Sequence, residues 1–474
     1  MRRTKIIATL GPATDDPKVL RQLLEAGTDT VRINFSHGDW SEQERRINAV
    51  RESAAELGRY VSVLGDLQGP KIRIRRFKKS PVILEEGQEF ILDSTLAGDA
   101  GTSKAVAVAY EGLSGDVEKG DTLLLDDGHL NLLVEKVKGP RIICKVVVGG
   151  ELSDRKGINR QGGGLSAAAL TDKDREDIKL AAGVDVDWIA VSFVRGADDV
   201  NEARQLLRDA GGTGHVVAKI ERSEAIESLE SIIDASDAVM VARGDLGVEC
   251  GYAGLTGLQK QIIRNARHRH KISITATQMM ESMIRSQVPT RAEVSDVANA
   301  VMDGTDAVML SAETAVGEHP VRAVETMAEV CVGAEEYRLI SSPRRHEEHF
   351  EYVDQAIAMA VMYTANHMDV HAIIALTESG STALWMSRIR SDIPIYAFSR
   401  HKATLRRVSL YRGVYPVLFD VTHTSTDSLY RDIFDRLLSL GQAEEGDLLI
   451  FTKGDMRGVA GGTNAMTVLR MTSQ

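Results

Sequence analysis

The chain is predicted to fold as an α/β protein: a (β/α)8 barrel with an inserted small β-barrel lid domain and a C-terminal doubly wound α/β domain. Three observations predict this. Eight strand-sized apolar runs recur among helical patterns, at residues 4–11, 30–38, 61–69, 186–193, 215–221, 238–247, 272–278 and 306–313. Their alternation is broken once by a strand-rich, helix-poor stretch, and a second strand–helix alternation follows after residue 350. Each of the eight runs gives way at its C-terminal end to polar groups that can do chemistry. A (β/α)8 barrel builds its active site there, where strands hand over to βα loops.

Composition sets the frame. At 474 residues the chain is too long for one hydrophobic core and implies several units. Its apolar runs are broken by charge well short of the ~18–20 residues that cross a bilayer, so no membrane association is expected. The start, MRRTKIIATLGP, reaches Gly11 and Pro12 too soon for a secretory apolar region. Cys144, Cys250 and Cys331 are widely spaced and unpaired by motif, and read as buried thiols of a cytoplasmic protein. A formal net charge of −11 argues against a nucleic-acid partner. An anionic substrate would then need local positive charge.

Taken in order, residues 17–26 and 41–58 carry apolar side chains at three- and four-residue spacing and predict the helices between the first barrel strands. The pattern breaks after Gly69 and Pro70. Residues 70–166 hold the strand-like runs PVILEEG, TLLLDDG, NLLVEKV and RIICKVVVGG, and predict the inserted lid, entered from the third strand's C-terminal end. KGINRQGGGLS, at 156–166, reads as a glycine-rich hinge back to the fourth strand. A helix at 320–337 closes the barrel, and the polar stretch at 341–349 reads as a linker. Beyond it VHAIIAL, IPIYAFS, VYPVLFD and GDLLIFT alternate with helical segments. The expected domains are thus 1–69 with 167–339, 70–166, and 340–474.

The chemistry concentrates at the strand ends. Lys219 and Glu221 are two apart on one strand and share a face, and Asp245 ends the next strand beside them. Two carboxylates and an ammonium at a barrel mouth can bind Mg²⁺ through oxygen and leave a cation facing developing negative charge. One such pair would more often be a plain buried ion pair, but three charges at adjacent strand ends favour a site. Arg32, with Asn34 and Ser36 at alternate positions, is a candidate anion clamp, the bland alternative being a salt bridge to a neighbouring acid. Gly244 lets backbone N–H groups approach a ligand. Thr277, Ser311 and Glu313 add hydroxyls and an acid, although singly each is more often a cap or core group.

RINFSHG, GDLQGPKIR, VAKIE, VMVARGDLGVE, TATQMMESM, PTRAE, SDVANAV and DAVMLSAET, in this order, closely resemble the pyruvate kinase family. The resemblance implies Mg²⁺- or Mn²⁺-dependent phosphoryl transfer from phosphoenolpyruvate to ADP, giving pyruvate and ATP in glycolysis. It implies that Glu221 and Asp245 hold the metal and that Lys219 stabilises phosphoryl-transfer and enolate charge. Arg32 would contact the phosphoryl group, and Gly244, Asp245 and Thr277 the substrate carboxylate. Ser311 and Glu313 match the proton-relay region. Arg73 and Lys156, at the two ends of the lid, match nucleotide-contact positions, with His37 and Asn34 nearby.

Asn34, Ser36, Asp66 and the Leu67 carbonyl resemble the family's K⁺ ligands. QGPKIR, however, has Lys71 where K⁺-dependent members have glutamate. An ammonium there can replace the charge that K⁺ brings and would repel a second cation, so K⁺ is expected to be dispensable. TESGSTALW follows a C-terminal strand, and its hydroxyls and turn can cradle phosphate. By resemblance Thr377, Ser379, Gly380, Ser381 and Thr382 would hold an allosteric effector, although a polar cap of an ordinary helix reads equally well. Glu378 is a poor neighbour for phosphate unless it turns away. No second basic cluster is evident beyond Arg457, which points to a sugar monophosphate or AMP rather than a bisphosphate. The resemblance also implies a homotetramer, with Arg291 at an interface. Two rival readings stand beside this one: a barrel lyase acting through a pyruvate enolate, which would need no nucleotide cations on a lid, and a non-catalytic metabolite sensor.

Overall fold

A computed structural model describes residues 1–337, 350, 352–421, 428–454 and 462–471. The expected linker at 341–349 lies outside them. All eight expected barrel strands are present, at Lys5–Thr9, Thr30–Asn34, Ser62–Asp66, Trp188–Val191, His215–Ile220, Ala238–Ala242, Ile272–Ala276 and Ala307–Leu310. Each pairs in parallel with its sequence neighbours, and the first closes the ring by pairing Lys5 with Ala307 and Ala8 with Leu310. Nearly every strand residue is buried because one face packs into the barrel and the other against helices, which is why these strands read as continuous apolar runs.

The helices fall where the spacing places them. Pro17–Glu25 has proline in its first turn and Asp16 accepting from Lys18 N, and Trp40–Glu56 is capped by Asp39. Pro320–Glu336 closes the ring.

Between the third and fourth barrel strands the insertion forms a six-stranded sheet and a two-stranded sheet. The six strands run in the order Ile158–Arg160, Thr122–Leu125, Leu130–Lys138, Arg141–Val148, Glu89–Asp93 and Ala105–Ala107. They enclose a separate core around Phe90, Leu123, Leu132 and Val146. The segment expected to be only a hinge contributes Ile158–Arg160 to this sheet. Its turn is made by Gly162, Gly163 and Gly164 in succession, all at φ near +80 to +90, a conformation that strains any other L residue.

The C-terminal sheet runs Val414–Leu418, Ile395–Ser399, Ala372–Leu376, Leu448–Lys453 and Ala465–Arg470. Four of its strands are parallel and match the expected runs. The fifth, unanticipated, pairs antiparallel at the edge. Ile7, Trp188, Met240 and Met309 inside the barrel share one core with Val361, Met362 and Ile373 of this unit. The C-terminal unit therefore plugs the barrel end opposite the C-terminal ends of its strands.

Candidate active site

The third, fourth and fifth strand ends meet at Lys219. Its Nζ lies 2.9 Å from Glu221 Oε1 and 3.2 Å from Asp66 Oδ1, and donates to Ser192 Oγ at 2.7 Å. Burial alone would depress this ammonium. Asp66 and Glu221 outweigh it and push its pKa above the ordinary lysine value, so Lys219 stays charged. Asp66 is shared, its other oxygen accepting Arg32 Nε–H at 2.6 Å, and the two cations hold its carboxyl below the usual range despite complete burial. The salt bridge weighed for Arg32 thus exists, and it fixes the guanidinium at the mouth, with Nη1 donating to Thr9 Oγ1 at 3.2 Å.

Asp245 departs from expectation. The sixth strand stops at Ala242, and Asp245 sits in the first turn of helix Arg243–Cys250 rather than on the strand. A carboxylate is favoured there by the helix dipole. Asp245 Oδ1 accepts from Lys71 Nζ at 3.0 Å, and Asp127 of the lid lies 3.7 Å from the same ammonium. Burial opposes the Lys71 charge, but Asp245 and Asp127 raise its pKa. Glu221 is pushed upward, first by burial and then by repulsion from Asp245, while Lys219 pulls the other way. Two carboxylates that repel each other at a partly open mouth are a hard-oxygen donor pair of the kind Mg²⁺ uses together with phosphate oxygens. Among the described residues no cluster of three or more His, Cys, Asp or Glu forms a closed protein cage.

Thr277 holds φ at +67, in the left-handed region that a β-branched residue rarely adopts. Its Oγ1 accepts Gly244 N–H at 2.9 Å and donates to the Ala276 carbonyl at 2.7 Å. The buried Arg243, unforeseen in the sequence, donates to the Ala276 and Thr277 carbonyls at 3.2 and 2.7 Å and fixes this loop. Glu313 is not open to the mouth: its oxygens accept Met280 N–H at 3.1 Å and Ser311 N–H at 2.7 Å, tying the seventh βα loop to the eighth. Ser311 occupies the N-cap position of the short helix Ala312–Ala315 without a capping hydrogen bond from its side chain.

Arg73 and Lys156 come together at the root of the lid, where Arg73 bridges Gly157 and Ile74 N donates to the Lys156 carbonyl at 2.9 Å. Lys156 Nζ is 2.7 Å from Asp126. The exposed His37 lies within reach of the same charges, since its pKa is lowered by partial burial and then by Arg73 and Arg32. Asn34 Oδ1 accepts Ser36 N–H at 3.1 Å, and the Leu67 carbonyl accepts Ser192 Oγ–H at 2.8 Å. Lys71 therefore meets Asp245 and Asp127, not the cluster of Asn34, Ser36, Asp66 and Leu67.

Ser192 and the Asp126–Asp127 turn were not singled out in the sequence, although both end strand-like runs noted there. Both aspartates have positive φ, near +50, in a tight turn closed by Gly128.

At the C-terminal loop, Thr377 Oγ1 accepts Gly380 N–H at 2.8 Å and Gly380 takes φ +90. Ser379 and Ser381 hydroxyls are 3.2 Å apart, and Thr382 Oγ1 is buried against Thr463 Oγ1 at 2.6 Å. Glu378 is engaged by His401 and, at 3.4 Å, by Arg400, and Arg407 donates to the Ser379 carbonyl at 3.5 Å. Basic groups thus do flank this loop, supplied by the next strand–helix unit. Arg457 lies outside the described residues. Of the cysteines, Cys144 and Cys331 are buried, whereas Cys250 is only half-buried.

Comparison with known proteins agrees in family and extent. Residues 1–324 match the family model "Pyruvate kinase, barrel domain", and residues 355–469 match "Pyruvate kinase, alpha/beta domain". The chain is 52% identical over 474 residues to pyruvate kinase II of Salmonella typhimurium, covering 99% of this chain and 98% of that one. It is 49% identical to a pyruvate kinase of Haemophilus influenzae, covering 96% of each. A crystal structure of a pyruvate kinase from Cryptosporidium parvum superposes with a TM-score of 0.90 at 32% identity, over 99% of this chain and 96% of that one.

Proposed function

The chain belongs to the pyruvate kinase family, and from that premise we propose how its own residues transfer phosphoryl from phosphoenolpyruvate to ADP. The observation that carries the reading is the linked constellation of Arg32, Asp66, Lys219, Glu221, Asp245 and Lys71 at one barrel mouth. In the reaction the enol oxygen–phosphorus bond breaks, a β-phosphate oxygen of ADP bonds to phosphorus, and the released enolate takes a proton at carbon to give pyruvate.

Arg32, braced by Asp66, presents donors to the phosphoryl group. Lys219, braced by Asp66 and Glu221, faces the charge that develops as the bond breaks. Such pre-set groups stabilise the transition state without reorganising. Glu221 and Asp245 would hold Mg²⁺ or Mn²⁺, which when bound neutralises phosphoryl and enolate oxygen charge. Gly244 and Asp245, in the first turn of their helix, receive the substrate carboxylate beside Thr277. Proton delivery is assigned to the Thr277 and Ser311 region. Glu313 ties the two loops there and acts as a positioning residue.

Arg73 and Lys156 receive the nucleotide phosphates, with His37 and Asn34 at the near edge, and movement of the lid about its paired root carries ADP to the phosphoryl group. Lys71 supplies positive charge beside Asp245, so turnover needs little or no K⁺ at Asn34, Ser36, Asp66 and Leu67. The loop Thr377–Ser379–Gly380–Ser381–Thr382 takes a sugar monophosphate or AMP as allosteric activator, with Glu378 turned onto Arg400 and His401 and out of the phosphate's way. The active assembly is a homotetramer, and Arg291 at the start of helix Arg291–Asp303 contributes to an interface. The units act as catalytic barrel (1–69 and 167–339), lid (70–166) and effector domain (340–474), in glycolysis in the cytoplasm.

A lactate-dehydrogenase-coupled assay with phosphoenolpyruvate, ADP and Mg²⁺ tests the reading. Pyruvate and ATP form in equal amounts if it holds, and absence of ADP-dependent pyruvate overturns it.

A further inference from the structure

On the face of the barrel opposite the catalytic mouth, a cleft of about 180 Å³ opens between the barrel and the C-terminal unit. Five guanidiniums line it, from Arg3, Arg267, Arg388, Arg390 and Arg412, against three carboxylates. The carboxylates are already engaged. Asp306 receives the Arg388 fork and Ser273 N–H, Glu335 takes the backbone N–H groups of Arg3 and Thr4, and Asp392 pairs with Arg3.

Arg267 and Arg390 have no carboxylate within 4 Å among the described residues. Arg267 Nε donates only to the Arg388 carbonyl, at 3.1 Å, and Arg390 Nη2 reaches the Met302 carbonyl at a long 3.5 Å. The two guanidiniums converge. A side-chain carbon placed on Gly304 would lie 3.6 Å from Arg267 Nη1 and 3.5 Å from Arg390 Nη2, so the two guanidiniums meet over one helix end. Burial, followed by the nearness of Arg390 and Arg388, pushes the Arg267 pKa down to about 10; Asp306 opposes the shift without offsetting it. Met302, Met362, Ile389 and Ile393 give the cleft apolar walls.

We propose that this cleft is a second anion site, distinct from the catalytic mouth and from the TESGST loop. It would bind a small organic molecule with a phosphate or carboxylate head on Arg267 and Arg390 and an apolar body against the methionine and isoleucine walls. Guanidinium forks match both head groups. Filling the cleft relieves the repulsion between the two arginines.

Calorimetric titration of the full-length protein tests this, with phenyl phosphate and sodium benzoate as separate probes to tell the two heads apart. Arg390→Gln alters an exposed side chain and Arg267→Met a half-buried one, and circular dichroism and turnover without added anion are recorded for both. Saturable binding of at least one probe is expected, weakened about tenfold or more in each variant, with turnover retained in Arg390→Gln. Absence of saturable binding overturns the proposal, as does unchanged affinity in Arg390→Gln. The turnover measurements stand independently, so failure here leaves the pyruvate kinase reading untouched.

Discussion

Lys71 Nζ stands 3.0 Å from Asp245 Oδ1, so the exit of the third barrel strand delivers an ammonium to the head of the helix that follows the sixth. This contact sets the K⁺ prediction. Turnover in a tetramethylammonium buffer is expected to stay within about twofold of that in K⁺, because Lys71 brings an ammonium to Asp245 at the same barrel mouth, though not into the cluster of Asn34, Ser36, Asp66 and Leu67. Lys71→Glu is expected to become strongly K⁺-responsive. A near-total loss in the unaltered protein, restored by K⁺, would sink the idea.

Lys219→Met removes the cation shared by Asp66, Glu221 and Ser192. A loss of at least about 10³-fold in kcat is expected, since pre-set charge at the reacting oxygen contributes several kcal/mol. Far-ultraviolet dichroism should be unchanged. Near-normal turnover would refute the role assigned to Lys219.

Asp66→Asn leaves Arg32 and Lys219 facing each other without their common counter-charge. Breaking such a buried network costs roughly 3–5 kcal/mol. Urea unfolding should show that loss together with a kcat decrease, and a variant as stable as the parent would contradict the bracing role.

Thr277→Gly separates strain from chemistry. Glycine relieves the +67 φ but adds freedom to the unfolded chain, and the two terms nearly cancel, leaving stability within about 1 kcal/mol. Turnover should fall sharply, because the hydroxyl that accepts Gly244 N–H is gone.

Glu249 governs a pH effect at the lid. Burial pushes its carboxyl up to about 7, opposed by Ser223 N–H and Arg222 and reinforced by Glu224, while Asn159 at the lid's return strand faces it at 3.5 Å. The native state therefore prefers the protonated acid. Its stabilisation is fully present below the unfolded value near 4.5 and is lost as pH rises through about 7. The loss amounts to roughly 3 kcal/mol. Glu249→Gln should remove this decline from a plot of unfolding free energy against pH. Parallel curves for parent and variant would argue against it.

The sequence made some of this legible and hid the rest for physical reasons. Barrel strands such as Ala238–Ala242 are buried on both faces and stand out as apolar runs. Ile158–Arg160 is three residues long in a glycine-rich context and carries no such signal. Ala465–Arg470 is an edge strand, half-buried, and its pattern is weak. Within the site, the residue types and their strand ends were readable. Their partnerships were not: Lys219 with Ser192, Arg32 with Asp66 and Lys71 with Asp245 join residues 27 to 174 positions apart, and only barrel closure brings them together. Glu313 looked like an open acid and proved to be a loop tie, because nothing local announces which backbone N–H groups will reach it.

The helix Ser381–Ser387 begins at the TESGST loop and ends at Arg388, whose fork grips Asp306 at the foot of the eighth barrel strand. Ser311 and Glu313 lie at that strand's other end. Seven residues of helix make a strut about 10 Å long, and its far end is welded by a pair of side chains that are only 4% exposed. A buried fork of this kind has no half-made state at low energy. The strut therefore joins the hydroxyl loop to the root of the strand that leads to Ser311 and Glu313.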